Sequence, residues 1–488
     1  MNILVLDSWL REYLETNATP QDLKDCLSLC GPSIERISKI GNDYVYDIEI
    51  TSNRIDMASV FGVAREAAAI LPNFGFKAEL KLFGVITDFK PIINLPIKIT
   101  DTDKLCKRVL GIVLEVDGIK DSPDLIKYRL ENSGVRSLND LVDITNYVML
   151  EIGHPCHVFD YDRIKTHQLI IRRAKKGEEI ITLDNKKYNL NSEDIIIDDG
   201  AGRVIDLPGI MGTQNSVITD TTKRILFFLE SNNPMSIRKS SMRYGIRTMA
   251  AAINEKSPDP ELAKTALLYG VELYQKIANA TIASKIIDIY PDKKEAKPIS
   301  VQTDFINTRL GIVLKQNEIV NILESLNFTI TQNKDVLTIT PPSYRQYDIL
   351  IAEDIVEEVA RIYGYHNLPN NLMEGKIPVT KKSKDLSIEE KIKLLLKYSG
   401  LTETYSYSML SQDLLEKTEF SLSDTIRITN PLNEELVFMR KSLIPQMLSN
   451  LAINQNLSNT LSFFELSKIY LPNKGDLPCE KSRLCLGL

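Results

Sequence analysis

Nowhere along its 488 residues does the chain hold one hydrophobic period for long. Short β-branched runs, among them Arg108 to Val116, Leu169 to Arg173, Glu179 to Leu183 and Asp194 to Asp198, end at Gly, Asn and Asp turns. Between them lie helix-prone stretches with recognisable starts and stops. Thr19-Pro20 pairs an N-cap with Pro at the first helical position, and the apolar set Leu23, Cys26, Leu27, Leu29 and Cys30 stops at Gly31. Such a chain must fold as strands and helices mixed in several cores. At ~150 residues per domain its length implies about three domains. With 22 Gly and 21 Pro, a low-complexity or collagen-like chain is excluded.

Charge narrows the partners. The chain carries 59 basic and 65 acidic side chains, a net charge of −6, so no global positive field drives nucleic-acid binding, and any such contact must be a local patch. Met1 to Asp7 lacks the basic and apolar regions of a signal peptide, and no uninterrupted apolar run approaches the ~18 residues of a membrane span. A cytoplasmic protein without membrane association is expected. The six cysteines are scattered without a Cys-x-x-Cys pair and read as reduced structural thiols.

The segments follow in order. The first reads as helix, helix, strand, helix, with Tyr44 to Ile50 as the strand, a polar turn from Thr51 to Asp56 and an Ala-rich helix from Ser59 to Leu71. Residues 98–292 mix strands and helices and close with a helix from Pro260 to Ala278. Residues 293–370 hold short helices around Asp304 to Leu310 and Gln316 to Leu326 and a hairpin from Phe328 to Thr340, which resembles a winged helix or an ordinary small α+β subdomain. A last domain spans 380–488. Its end, Arg483 to Leu488, looks like the middle of a buried strand, so the chain is expected to stop inside a domain.

Three constellations invite chemistry. Asp354, Glu357 and Glu358 stand at i, i+3 and i+4, on one helical face. Spacing leaves two readings open: a hard cation that relieves their repulsion, or a solvated acidic face. His154 and His157, in His-Pro-Cys-His, are either structural or acid-base groups. Arg238, Lys239, Arg243 and Arg247 form a basic segment that is either a solvated face or a phosphate contact. No Walker loop and no Gly-x-Ser-x-Gly elbow is present, which disfavours a P-loop ATPase and an α/β-hydrolase.

Taken together, several long motifs resemble the beta subunits of bacterial phenylalanyl-tRNA synthetases, in the same order. They are Asp47 to Asp56 with Gly62 to Glu66, Asn139 to Glu151, Gly153 to Asp160, Pro341 to Arg345, Asp348 with Glu353 to Tyr365, and Asn430 to Glu435 with Met439 to Leu443. The resemblance implies an α+β multidomain fold: an N-terminal α+β region (1–97), an editing-like domain of mixed α/β type (98–292), a winged-helix-like module with the acidic motif (293–370), and an incomplete class II synthetase catalytic-like module built on an antiparallel sheet (380–488). It implies an α₂β₂ ligase that joins phenylalanine to tRNA(Phe), with ATP bound by the alpha subunit and no catalytic residue in this chain. It also implies a Mg²⁺ ion shared with the alpha subunit and held by Asp348, Asp354, Glu357 and Glu358.

Departures from the family pattern shape the remaining expectations. Active class II cores place a Glu two residues after an Arg, whereas Arg440 here precedes Lys441 and Ser442, so the catalytic-like module is expected to be inert. His157, Gly209, Gly212, Thr248 and Ala250 match the family's hydrolytic editing pocket. A gapless reading, however, puts Phe228 where the family has an acidic residue for the tyrosine hydroxyl, and Glu230 replaces it only if the strand end is shifted. Weak or lost editing is the expectation. The inserted oligonucleotide-binding fold is expected to be absent, since about a dozen residues from Ile37 precede the Asn-Arg-x-Asp turn, and the family's anticodon-binding domain would lie beyond Leu488. A stand-alone hydrolase of mischarged tRNA and a nucleic-acid-binding paralogue are the competing readings. The second is opposed by the acidic Gln316 to Leu326 helix, which lacks Arg and Lys.

Overall fold

The computed structural model describes every residue except 83, 85–90, 373–374, 459, 474 and 476. It is a mixed α/β structure with fourteen α-helices among the described residues. It divides into two compact units, Met1–Asn370 and Asn371–Leu488. The expected segments 1–97, 98–292 and 293–370 all fall within the first.

The chain opens with a strand, Asn2–Leu6, which corrects the expected helix-first order. Asn2–Leu6 pairs antiparallel with Asp43–Glu49, which pairs on its other side with Ser33–Ile40. Residues 33–49 are thus one hairpin, with no room for an inserted domain. Local signals behave as read: Thr19 makes a capping box with Asp22 at the start of Pro20–Cys30, and Ser59 caps Val60–Ile70.

The middle of the first unit is organised by one strand, Cys106–Glu115. It lies between Arg224–Asn232 on one side and the short strands Thr281–Ile282 and Ile287–Ile289 on the other, and His157–Asp160 completes that sheet beyond Arg224–Asn232. Alternation along these strands builds two cores. Leu110, Ile112 and Leu114, with Ile225, Phe227 and Leu229, pack under helices Asp140–Ile152 and Leu262–Ala278. Val109, Val113, Leu226 and Phe228 point the other way, onto a second sheet that contains Val204–Leu207, Ile195–Asp198 and Gln168–Arg173. Both faces of the first sheet are covered, so its strands read as continuous apolar runs.

Helix Asp140–Ile152 also ties this region to the N-terminal segment through one buried carboxylate. Glu151 accepts hydrogen bonds from Trp9 Nε1 (2.7 Å), Tyr13 Oη (2.7 Å) and Tyr269 Oη (2.6 Å). Burial still lifts its pKa above the usual range, against those three donors. Glu151→Gln keeps the shape but turns one acceptor into a donor that faces other donors. It is expected to cost about 1–3 kcal/mol, read as a lower urea midpoint in Trp9 fluorescence.

The C-terminal part of the first unit is a three-stranded antiparallel sheet, Ile299–Gln302, Val336–Thr340 and Thr329–Asn333 in spatial order, with helices Thr303–Leu310, Gln316–Ser325 and Ala352–Tyr363. The second unit has helix Lys384–Tyr398 and a sheet in which Thr402–Glu403 runs parallel to Phe463–Leu471 while Cys479–Gly487 runs antiparallel to it. The expected antiparallel sheet is therefore mixed. The six cysteines are free.

Candidate functional site

The acidic motif sits on helix Ala352–Tyr363, at one side of a cavity of about 340 Å³. Asp348, Asp354, Glu357 and Glu358 all line it, together with Asn53, Arg54, Arg345, Arg361 and Tyr365. Two of the four carboxylates are already held by arginines. Glu358, 2% exposed, receives Arg345 through both terminal nitrogens (2.7 and 3.0 Å) and Arg361 through Nε (3.0 Å). Burial disfavours its charge, but the arginines outweigh burial and hold its pKa down at about 2. Asp348 accepts Arg345 Nε at 3.0 and 3.1 Å, and there burial wins and lifts the carboxyl to about 6. Asp354 Oδ2 caps its own helix by accepting the amides of Leu350 (2.7 Å) and Ile351 (2.9 Å). Glu357 is exposed.

The pairs continue into the N-terminal segment. Arg361 also bonds Glu66, Glu66 takes Arg54 at 2.8 Å, Arg54 takes Asp56 at 3.0 Å, and Arg65 takes Asp56 at 2.9 Å. Four arginines and four carboxylates thus close a neutral buried network. Among the described residues no three His, Cys, Asp or Glu side chains converge as a metal ion requires. The four residues that the resemblance assigns to magnesium share a cavity, yet as a four-carboxylate ligand set they do not fit the ion in this arrangement. Only Asp354 and Glu357 keep carboxylate oxygens without a partner among the described residues.

The second site lies between the two sheets of the middle region, in a cavity of about 70 Å³. Of the residues matched to an editing pocket, His157, Gly209, Gly212 and Ala250 line it. Thr248 stands behind the wall, where its hydroxyl donates to Ile210 O at 2.7 Å and caps helix Met249–Asn254. Gly212 lets the His157 ring approach: a Cβ there would lie 3.0 Å from it. Gly209 has φ +68°, and its Cβ would strike the Asn232 amide at 2.5 Å. Burial lowers the His157 pKa to about 4, so the imidazole is neutral near neutral pH and offers one N–H donor and one ring-nitrogen acceptor.

Phe228 and Glu230 share a face of strand Arg224–Asn232, but only Glu230 reaches the cavity. The Phe228 ring is fully buried against Phe159, at 5.7 Å between centroids. Of the two, Glu230 is thus the side chain that brings a hydrogen-bonding group to the cavity wall, and burial raises it to about 8 against bonds from Asn232 and the Gly209 amide. Sequence reasoning missed Asp206, which lines the same cavity. Its only signal was a carboxylate inside the apolar run Val204 to Leu207.

The other candidates resolve as structure. His154 is fully buried: Nδ1 donates to Pro155 O at 2.9 Å, and Nε2 accepts from Ser231 Oγ at 3.0 Å. In the basic segment Arg247 and Arg238 pair with Glu255, and Arg243 with Asp194. In the second unit Arg440 is 3% exposed, its guanidinium bonded to Glu465 (2.7 Å) and to the carbonyls of Ser406 and Lys468. Its Nε and Nη1 donors are thus taken up inside the unit.

Known sequences carry the same order of parts. Residues 105–279 match the sequence model of the B3/4 domain, residues 299–365 that of the tRNA synthetase B5 domain, and residues 368–488 that of the phenylalanyl tRNA synthetase beta chain CLM domain. The phenylalanine–tRNA ligase beta subunit of Clostridium acetobutylicum is 36% identical over 485 residues, covering 97% of this chain and 59% of the relative. That of Carboxydothermus hydrogenoformans is 36% identical, covering 92% of this chain and 56% of the relative. Among solved structures, an N-terminal fragment of the phenylalanyl-tRNA synthetase beta-subunit from Pyrococcus horikoshii is similar at TM-score 0.40 and 16% identity, covering 74% of this chain and 99% of that one. The chain spans under three fifths of the length of the curated relatives it matches. From its three domain matches in order and its identity to these relatives, the chain belongs to the family of bacterial-type phenylalanine–tRNA ligase beta subunits.

Proposed function

We propose that this chain is the accessory subunit of a cytoplasmic phenylalanine–tRNA ligase. It assembles as α₂β₂ with an alpha subunit that binds ATP and phenylalanine, and the complex charges tRNA(Phe). The observation that carries this reading is Arg440. The synthetase-like module has its motif arginine buried, with Nε and Nη1 spent on Glu465 and main-chain carbonyls and with Ser442 rather than Glu two residues on, which supports assigning the ATP chemistry to the partner. Co-expression with the alpha subunit of the same genome tests it: a heterotetramer on size exclusion is expected, and separate elution of the two chains would contradict it.

A second activity is favoured by Glu230. With neutral His157, a glycine-lined wall and a buried carboxyl in one cavity, the middle region has the groups to hold an aromatic hydroxyl and to orient a water by a hydrogen bond, which supports hydrolysis of tyrosyl-tRNA(Phe). His157→Ala in the assembled enzyme is expected to slow that hydrolysis by about 10²-fold or more, measured by deacylation of tyrosyl-tRNA(Phe), while leaving phenylalanylation unchanged.

No step of this reading runs through magnesium at the acidic motif. An ion that keeps most of its water needs only one or two carboxylates, and Asp354 with Glu357 are the pair available. Since the arginine network closes without a cation, EDTA is expected to leave the melting temperature unchanged. A fall in that temperature, restored by MgCl₂, would show that the carboxylates serve an ion instead.

A further inference from the structure

The pocket that holds His157 contains two buried carboxyls, from two different sheets. Asp206 is on Val204–Leu207 and faces Gly212 across the strand pair; Glu230 is on Arg224–Asn232. They are 3% and 5% exposed, and both line the same cavity of about 70 Å³. Unlike Glu66 and Glu358, neither has an arginine or lysine partner among the described residues, and no hydrogen bond joins them directly. Asp206 takes the Leu207 amide, and Glu230 takes the Asn232 side chain at 3.4 Å and the Gly209 amide.

Carboxyls buried without a cation keep their protons. Burial raises both, and the charge of Glu230 raises Asp206 further. A coupled pair of this kind gives up one proton well before the second. Still protonated, each carboxyl presents an O–H donor and a carbonyl acceptor, and after loss of the first proton the pair keeps one carboxylate acceptor and one O–H donor. A phenolic hydroxyl is the complement, with one hydrogen to give and lone pairs to receive. A phenyl ring offers neither, and would leave both buried groups unanswered.

We propose that Asp206 is a second specificity-determining residue of this pocket, gripping the hydroxyl of a hydroxylated aromatic side chain together with Glu230, one carboxyl accepting its hydrogen and the other donating to its oxygen. The inference rests on the hydrolytic reading given above.

The test uses the enzyme assembled with its alpha subunit and compares deacylation of tyrosyl-tRNA(Phe) with that of phenylalanyl-tRNA(Phe). In Asp206→Ala the ratio of the two kcat/KM values is expected to fall about tenfold or more. In Asp206→Asn, whose amide still donates, most of the ratio is expected to remain. Melting curves of both variants establish that they fold. An unchanged ratio in Asp206→Ala, with the wild type active, would overturn the role of Asp206 alone. Equal loss on both substrates in both variants would make the residue structural and overturn it too. A wild-type enzyme that spares tyrosyl-tRNA(Phe) would overturn the hydrolytic reading, and this inference with it.

Discussion

Glu66→Gln is expected to destabilise the first unit by about 3–5 kcal/mol, because it leaves Arg361 and Arg54 facing a neutral amide inside the protein. Glu66 is 3% exposed and Arg361 6%, so water cannot take over the lost partner. Burial opposes its charge, and Arg361 with Arg54 hold its pKa well below the usual carboxylate range. The sign with pH follows. Carboxylates depressed by folding add stability that is fully present above their unfolded pKa and is lost as pH falls through the folded value. For Glu358 that window runs from about 4.5 down to about 2. The measurement is convenient because the chain has a single tryptophan, Trp9, fully buried in the first unit. Urea unfolding followed by Trp9 fluorescence should show a large drop in midpoint for Glu66→Gln at pH 7 and convergence with wild type as pH approaches 2. Equal midpoints at pH 7 would refute the network's role.

Arg440→Ala is expected to unfold the second unit, with a cost of about 3–5 kcal/mol from stranding Glu465, which is fully buried, and a further loss from main-chain carbonyls deprived of their donor. Ser406 Oγ, 2.8 Å from Glu465, is a single neutral donor and does not compensate the charge. The Trp9 transition of the first unit should not move, whereas limited proteolysis should cut within 371–488 in the variant and not in the wild type. A variant as resistant as wild type would mean that Arg440 is dispensable for structure and available for another task.

Local signals in the sequence were legible because local chemistry writes them. Thr19 caps the helix for which it was read as the N-cap, and Ser59 caps the helix read to begin there. The spacing of Asp354, Glu357 and Glu358 put them on one helical face, but their partners did not follow from spacing: Arg361 meets Glu66 across 295 residues of chain. Asn2–Leu6 was missed because five residues are too few for alternation to register, and it is pinned by pairing with Asp43–Glu49. In the pocket, a period of two correctly sets Phe228 and Glu230 on one face. Which of them reaches the cavity depends on the neighbouring strand: His157–Asp160 pairs only as far as Phe228, and Glu230 lies beyond that pairing, a partner that the sequence of Arg224–Asn232 does not announce.

The most direct test of the central claim is phenylalanine-dependent ATP–pyrophosphate exchange with this chain alone, the alpha subunit alone, and the two together. Exchange by the pair, with none by this chain, is the predicted result. Exchange by this chain in the absence of the alpha subunit would contradict the accessory role.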